Sequence, residues 1–283
     1  MTRYPTWAAL TLVTALVAGC GPEKELPMDV ARPDGSAAQQ QAVPAKSDPE
    51  AKAVIDRSVK ALTGGKPELR AKATASRFAL KGQMFSLENQ GQSLEATRSG
   101  AAVWPNRFYG LNETHPQGNR MAVETWLFRP DLAVSNNGQP TELTNVDVLE
   151  RTFAIDLVGQ NWMPLLLPAT DPKAVVFDLQ AITFEARGLH QLKLSLGDFP
   201  LYQLTFDAKS DALVRVEYSN SMGGVPIRKT MVYGDHKPTL AGLVLPYKIE
   251  CRHNSSVVER WTVEKWEFPD KIGDEEFTPP KKK

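Results

Sequence analysis

Residues 191–220 read QLKLSLGDFPLYQLTFDAKSDALVRVEYSN, and their alternation decides the fold class. Leu192, Leu194 and Leu196 alternate with Gln191, Lys193 and Ser195; Tyr202, Leu204 and Phe206 alternate with Gln203 and Thr205. Val214, Val216 and Tyr218 then alternate with Arg215 and Glu217. Successive side chains on a strand point to opposite faces, so each run offers one apolar and one polar face. The links between the runs are short and polar, as in antiparallel meanders with one face covered and one wetted.

The same rhythm continues outward. RKTMVYGD (228–235), LPYKIECRHN (245–254) and VVERWTVEKWEF (257–268) read as further strands. Upstream, Phe78, Leu80, Leu94, Ala96, Phe108, Met121, Val123 and Trp126 sit in short runs separated by Asn-Gln-Gly, Pro-Asn and Asn-Asn-Gly turns. The pattern predicts a mainly β (α+β) domain built on a single antiparallel sheet of about 10–11 strands.

Two segments depart from the period of two. Asp48-Pro49-Glu50 supplies an N-cap, a proline suited to the first helical position and an early carboxylate. Ala51, Val54, Ile55, Ser58, Val59 and Leu62 share one helical face, and Gly64-Gly65 ends the helix. Between Asn145 and Leu167, Val148, Leu149, Thr152, Phe153, Asp156 and Leu157 recur at helical spacing before an apolar stretch that stops at Pro168. This predicts one or two helices inserted in mid-sheet, more apolar than one face of a surface helix requires.

The chain begins MTRYPTWAALTLVTALVAGC, one basic residue followed by an apolar run too short for a permanent membrane span. Val17-Ala18-Gly19-Cys20 resembles a bacterial lipobox, so residues 1–19 are expected to be a lipoprotein signal peptide and Cys20 the lipidated N-terminus. Two or three acyl chains on Cys20 anchor a protein far more firmly than one. Gly21 stands where an aspartate would resemble an inner-membrane retention signal, which favours the outer membrane. Residues 20–47, rich in proline and glutamine, are expected to be a disordered tether, residues 48–280 the folded domain and 281–283 a basic tail. The expected location is the bacterial cell envelope, facing the periplasm.

Thirty-three basic against thirty-three acidic residues leave no net charge, which argues against nucleic acid as a partner. Two cysteines and four scattered histidines exclude a disulfide framework and make a metal site improbable. Cys251 alternates with Tyr247 and Ile249, as a small buried hydrophobe does. Asp235-His236 reads as a turn and Asp274-Glu275-Glu276 as a solvated segment. Nucleophile-elbow, phosphate-loop, dinucleotide and zinc-protease motifs are all missing, so the reading is a non-enzyme without cofactor or metal.

Three stretches carry a resemblance to the LolA/LolB superfamily of outer-membrane lipoprotein-sorting proteins: residues 55–83, IDRSVKALTGGKPELRAKATASRFALKGQ; residues 203–220, QLTFDAKSDALVRVEYSN; and residues 242–280, GLVLPYKIECRHNSSVVERWTVEKWEFPDKIGDEEFTPP. The resemblance implies an open, curved half-barrel whose apolar concave face lies under a helical lid and holds acyl chains. An open sheet of this kind leaves a concave face to be filled or occupied, and the candidates to line it for a ligand are the strand aromatics Phe108, Trp126, Phe128, Tyr202 and Phe206 with Phe153, Trp162, Met163, Leu165 and Leu166 of the helical insertion. The resemblance also implies a protruding loop with an exposed leucine, for which RPDLAVSNNG with Leu132 is the candidate.

The functional expectation is a monomeric, membrane-anchored lipoprotein that binds an acyl chain or other hydrophobic ligand, in lipoprotein sorting or lipid trafficking. The alternative is a non-catalytic envelope scaffold or sensor that binds a protein partner and whose concavity is filled by its own side chains.

Overall fold

A computed structural model of the chain describes residues 42–85, 93–222 and 225–280. The signal segment 1–19, the lipidation site Cys20, most of the tether 20–47 and the tail 281–283 lie outside the described residues.

The described residues open with α1 (Pro49–Leu62), whose N-cap Asp48 accepts a 2.8 Å hydrogen bond from the Glu50 amide. Such caps satisfy donors that a helix start leaves without partners. Ala51, Val54, Ile55, Ser58 and Leu62 are buried on its inner face. Gly64 and Gly65 follow at φ 58° and 80°, the left-handed region in which a helix end turns most readily. A single turn, α2 (Leu69–Lys72), leads into the sheet.

Thirteen antiparallel strands form that sheet: β1 (Ala75–Phe85), β2 (Ser93–Val103), β3 (Arg107–Thr114), β4 (Met121–Phe128), β5 (Asp131–Asn136), β6 (Gln139–Pro140), β7 (Ala174–Phe184), β8 (Arg187–Leu196), β9 (Tyr202–Asp207), β10 (Leu213–Met222), β11 (Val225–Pro238), β12 (Val244–His253) and β13 (Ser256–Glu267). Their order is β6-β5-β4-β3-β2-β1-β13-β12-β11-β10-β9-β8-β7. The sheet's first strand therefore lies in the middle, and from it the chain meanders out to β6, crosses to β7 at the far edge, and meanders back until β13 pairs with β1. The edges β6 and β7 do not pair, so the sheet stays open.

The crossing from β6 to β7 places the mid-chain helices. A connection between opposite edges of one sheet has to traverse a face, and this one does so as α3 (Val146–Gly159) and the short α4 (Met163–Leu166). The main hydrophobic core is the layer between α1, α3, α4 and that face. A smaller cluster on the opposite side buries Ile272 and Phe277 of the C-terminal segment against Ala101.

Three strands exceed or escape the alternation read from sequence. β7 carries a register shift between Phe177 and Gln180, with Asp178 at φ 59°, so its apolar residues fall out of step. β5 and β6 arise from RPDLAVSNNG, which is a hairpin continuing the sheet rather than a protruding loop. Leu132 pairs with Leu127 and packs against the main core, which corrects its assignment as an exposed leucine. Asp235-His236 is likewise not a turn. Both residues lie within β11, with Asp235 bulged at φ 55° between the pairs Gly234–Lys248 and His236–Pro246.

Candidate functional site

The covered face of the sheet has a filled part and an open part. Under α3, Tyr202, Leu204 and Phe206 of β9 and Leu192 and Leu194 of β8 are fully buried. The polar atoms among them have partners. Tyr202 Oη donates to the Ile155 carbonyl at 3.1 Å, and Tyr218 Oη donates to Asp156 Oδ1 at 3.0 Å. The Asp156 carboxylate also accepts from Asn220 Nδ2 and Lys229 Nζ, each at 2.7 Å. Burial opposes the charge on Lys229, but the adjacent Asp156 outweighs it and raises its pKa. Gly159 lies directly on the Tyr218 ring, where a Cβ would come within 2.2 Å of the ring carbons.

Towards the end of α1 the packing opens into a cleft of about 370 Å³. That volume falls within the range of small-molecule sites. Ser58, Ala61 and Leu62 of α1 form one wall, and Trp162 and Leu165 of the crossing segment form another. Ala212, Leu213, Val214, Tyr233, Val244 and Pro246 complete the apolar lining, with Arg187, Ser210 and His236 at its polar side.

Most polar atoms of this lining are already committed. Trp162 Nε1 donates to the Ala73 carbonyl at 3.1 Å, and Tyr233 Oη donates to the Gly159 carbonyl at 3.1 Å. His236 Nε2 donates to the Leu213 carbonyl at 3.1 Å, and burial lowers its imidazole pKa, so the ring is neutral with a lone pair on Nδ1. Arg187 holds Asp207 through Nε, and Ser210 Oγ donates to the same carboxylate at 2.7 Å. Burial acts to raise the Asp207 pKa, yet these partners hold it at about 2. Ser58 Oγ is buried and has no hydrogen-bond partner.

Of the ten side chains assigned to ligand lining, the structure brings only Trp162 and Leu165 to the cleft. Met163 and Leu166 are buried beside them, Tyr202 and Phe206 lie in the filled part, and Phe153 is half-buried on α3. Phe108 is half-buried at the near end of an aromatic row that passes through Phe78 and Trp266 to Trp162. The row lies close to the backbone, since a Cβ on Gly100 would meet the Phe78 ring at 2.8 Å and one on Gly110 the Phe108 ring at 2.7 Å. Trp126 and Phe128 sit on the opposite, convex face. Trp126 packs on Tyr109 at 5.6 Å, and Arg107 lies over Phe128. Their register explains this: alternate residues of β4 face alternate sides, and Leu127 between them points into the main core.

Ser58, Arg187 and His236 were not recognisable as site residues in the sequence. Ser58 stands on the buried face of α1, where a polar residue among apolar ones was the available signal. Arg187 and His236 come from the ends of distant strands.

The remaining chemistry is structural. Cys251 is buried, and burial pushes its thiol pKa far upward. Asp274 and Glu276 are not simply solvated, because they pair with Arg107 and Arg77 and fasten the C-terminal segment to the convex face. Among the described residues no group of three or more His, Cys, Asp or Glu is placed to hold a metal, and no helix is long and apolar enough to cross a membrane.

No family model matches the chain, and no curated protein does either. Solved structures do align with it. A LolA superfamily protein from Nitrosomonas europaea shares 15 % identity over 81 % of this chain and 97 % of its own, with a TM-score of 0.48. A putative outer membrane lipoprotein-sorting protein domain from Vibrio parahaemolyticus shares 12 % identity over 80 % and 97 %, with a TM-score of 0.45. At these identities and TM-scores the likeness is one of fold, and what this chain binds rests on its own residues.

Proposed function

We propose that this chain is a lipoprotein of the bacterial envelope, anchored through Cys20, that holds an acyl chain or similar hydrophobic ligand in lipoprotein sorting or lipid trafficking. The observation that carries the reading is the cleft between α1, the crossing segment and β10–β12, about 370 Å³ and mostly apolar in lining. A core finished by its own side chains packs at crystal-like density and leaves few voids larger than a water. An apolar cleft of this size therefore favours an occupant.

Titration of the full-length chain with a fluorescent long-chain amphiphile tests the reading. Saturable binding that weakens when Leu165→Arg places a charge in the lining is the expected result. An absence of saturable binding would reject it.

The filled part of the covered face favours the second reading, a scaffold or sensor that binds another envelope protein. That reading expects a protein partner to be retained on purification and unaffected by Leu165→Arg.

A further inference from the structure

Six buried side-chain polar atoms lack a hydrogen-bond partner among the described residues, and of these only Ser58 Oγ belongs to a residue that lines the cleft. A buried hydroxyl without a partner costs about 1–3 kcal/mol relative to a satisfied one, so its presence in an otherwise apolar wall calls for an occupant that satisfies it.

One more group of the same lining has unused donors. Arg187, its only charged side chain, engages Asp207 through Nε alone, and its side chain is 44 % exposed, which leaves the Nη groups as donors. Asp207 itself is not part of the lining. The cleft thus combines apolar walls with two donors, one of them charged.

From this combination we infer that the cleft selects a single-chain fatty acid, recognised at its carboxylate by Ser58 and Arg187. The inference rests on the carrier reading and narrows it to a ligand class. Beside the Arg187 guanidinium the acid is a carboxylate, and its oxygens accept from Ser58 Oγ and the Arg187 Nη groups. A fatty alcohol and a methyl ester present only uncharged oxygens to these donors, so neither gains the charge-assisted bond to Arg187. Hydrogen bonds to charged groups contribute more than neutral ones, and each 1.4 kcal/mol is tenfold in affinity.

The experiment is a competition among palmitic acid, hexadecanol and methyl palmitate for the full-length chain, read by native mass spectrometry. Palmitic acid should exceed methyl palmitate by about tenfold. Ser58→Ala should bring the two towards parity by weakening palmitic acid more than its ester, because the hydrogen bond to a charged carboxylate is the stronger, and Arg187→Gln should do the same. The empty Ser58→Ala chain should unfold at the same urea concentration as the parent or a higher one, because the change removes an unsatisfied hydroxyl. Equal binding of the three lipids, or an undiminished preference in Ser58→Ala, would overturn the fatty-acid assignment and leave the carrier reading standing. Binding of none of them would overturn both.

Discussion

The part of the sheet under α3 and the part under the end of α1 are built from similar residues but satisfied differently. Under α3 the polar atoms of Tyr202, Tyr218, Asn220 and Lys229 meet partners on the helix, and the surrounding leucines are fully buried. Beside α1, Ser58 Oγ has none, and the apolar wall borders open volume. One region is a finished core and the other a core that lacks a component. Buried polar groups are ordinarily paired, so the contrast locates function better than hydrophobicity does, since both regions are hydrophobic.

Truncating a leucine in each region breaks the comparison most directly. Leu204→Ala removes a fully buried side chain from the closed part and leaves a new cavity, which should cost about 4 kcal/mol. Leu213→Ala merely enlarges a space already open, so only the transfer contribution is lost, about 2 kcal/mol. Urea unfolding of both variants measures the difference. Equal losses would mean that the cleft closes in solution.

The polar anchor of α3 comes next. Lys229→Met leaves Asp156 with two neutral donors, Asn220 and Tyr218, in a site that held an ion pair. Removal of one partner from a buried pair costs about 3 kcal/mol. Adding Asp156→Asn should restore much of it, because the double variant buries no charge. A single variant as stable as the parent would show that α3 is held by its apolar contacts alone.

A comparable loss should appear on acidification. His253 is 3 % exposed, and burial together with the nearby Lys229 lowers its pKa from 6.5 to about 4. The unfolded chain takes up this proton below pH 6.5 while the folded chain does not, so stability falls as pH drops from 6.5 towards 4. The contribution reaches up to about 3 kcal/mol at the acid end of that window. His253→Gln should flatten the pH dependence of the urea midpoint there. An unchanged slope would assign it to other groups.

How much of this was legible in the sequence follows from how local each signal is. Alternation within a strand is local, so the strands from Leu192 to Glu267 were readable, as were Asp48 and Gly64-Gly65 at the ends of α1. β7 was hidden by the left-handed Asp178, which shifts the alternation midway. The side of the sheet on which an aromatic falls is not local. Trp126 and Phe128 looked like Phe108, yet register places them on the opposite face, because the sign of an alternation depends on where the helices cross. Trp162 and Leu165 reached the cleft because the apolar run around them exceeds what one helix face can bury. Ser58, Arg187 and His236 meet only after α1, the β7–β8 turn and the end of β11 converge, and no spacing along the chain encodes that meeting.

The convex face provides the smallest expected effect and the control for the larger ones. Its C-terminal segment is held in two ways: Phe277 is 1 % exposed, whereas the Arg77 and Glu276 side chains retain 41 % and 28 % exposure. Water competes for the ion pair but not for the ring, so Glu276→Gln should cost less than about 1 kcal/mol. The strands lie between this segment and the cleft, and none of its residues lines that space. Glu276→Gln should therefore leave the preference for palmitic acid over its methyl ester unchanged. A shifted preference would mean that the two faces of the sheet are coupled, and the losses expected from Ser58→Ala and Arg187→Gln would then no longer identify the cleft as the place where the carboxyl group binds.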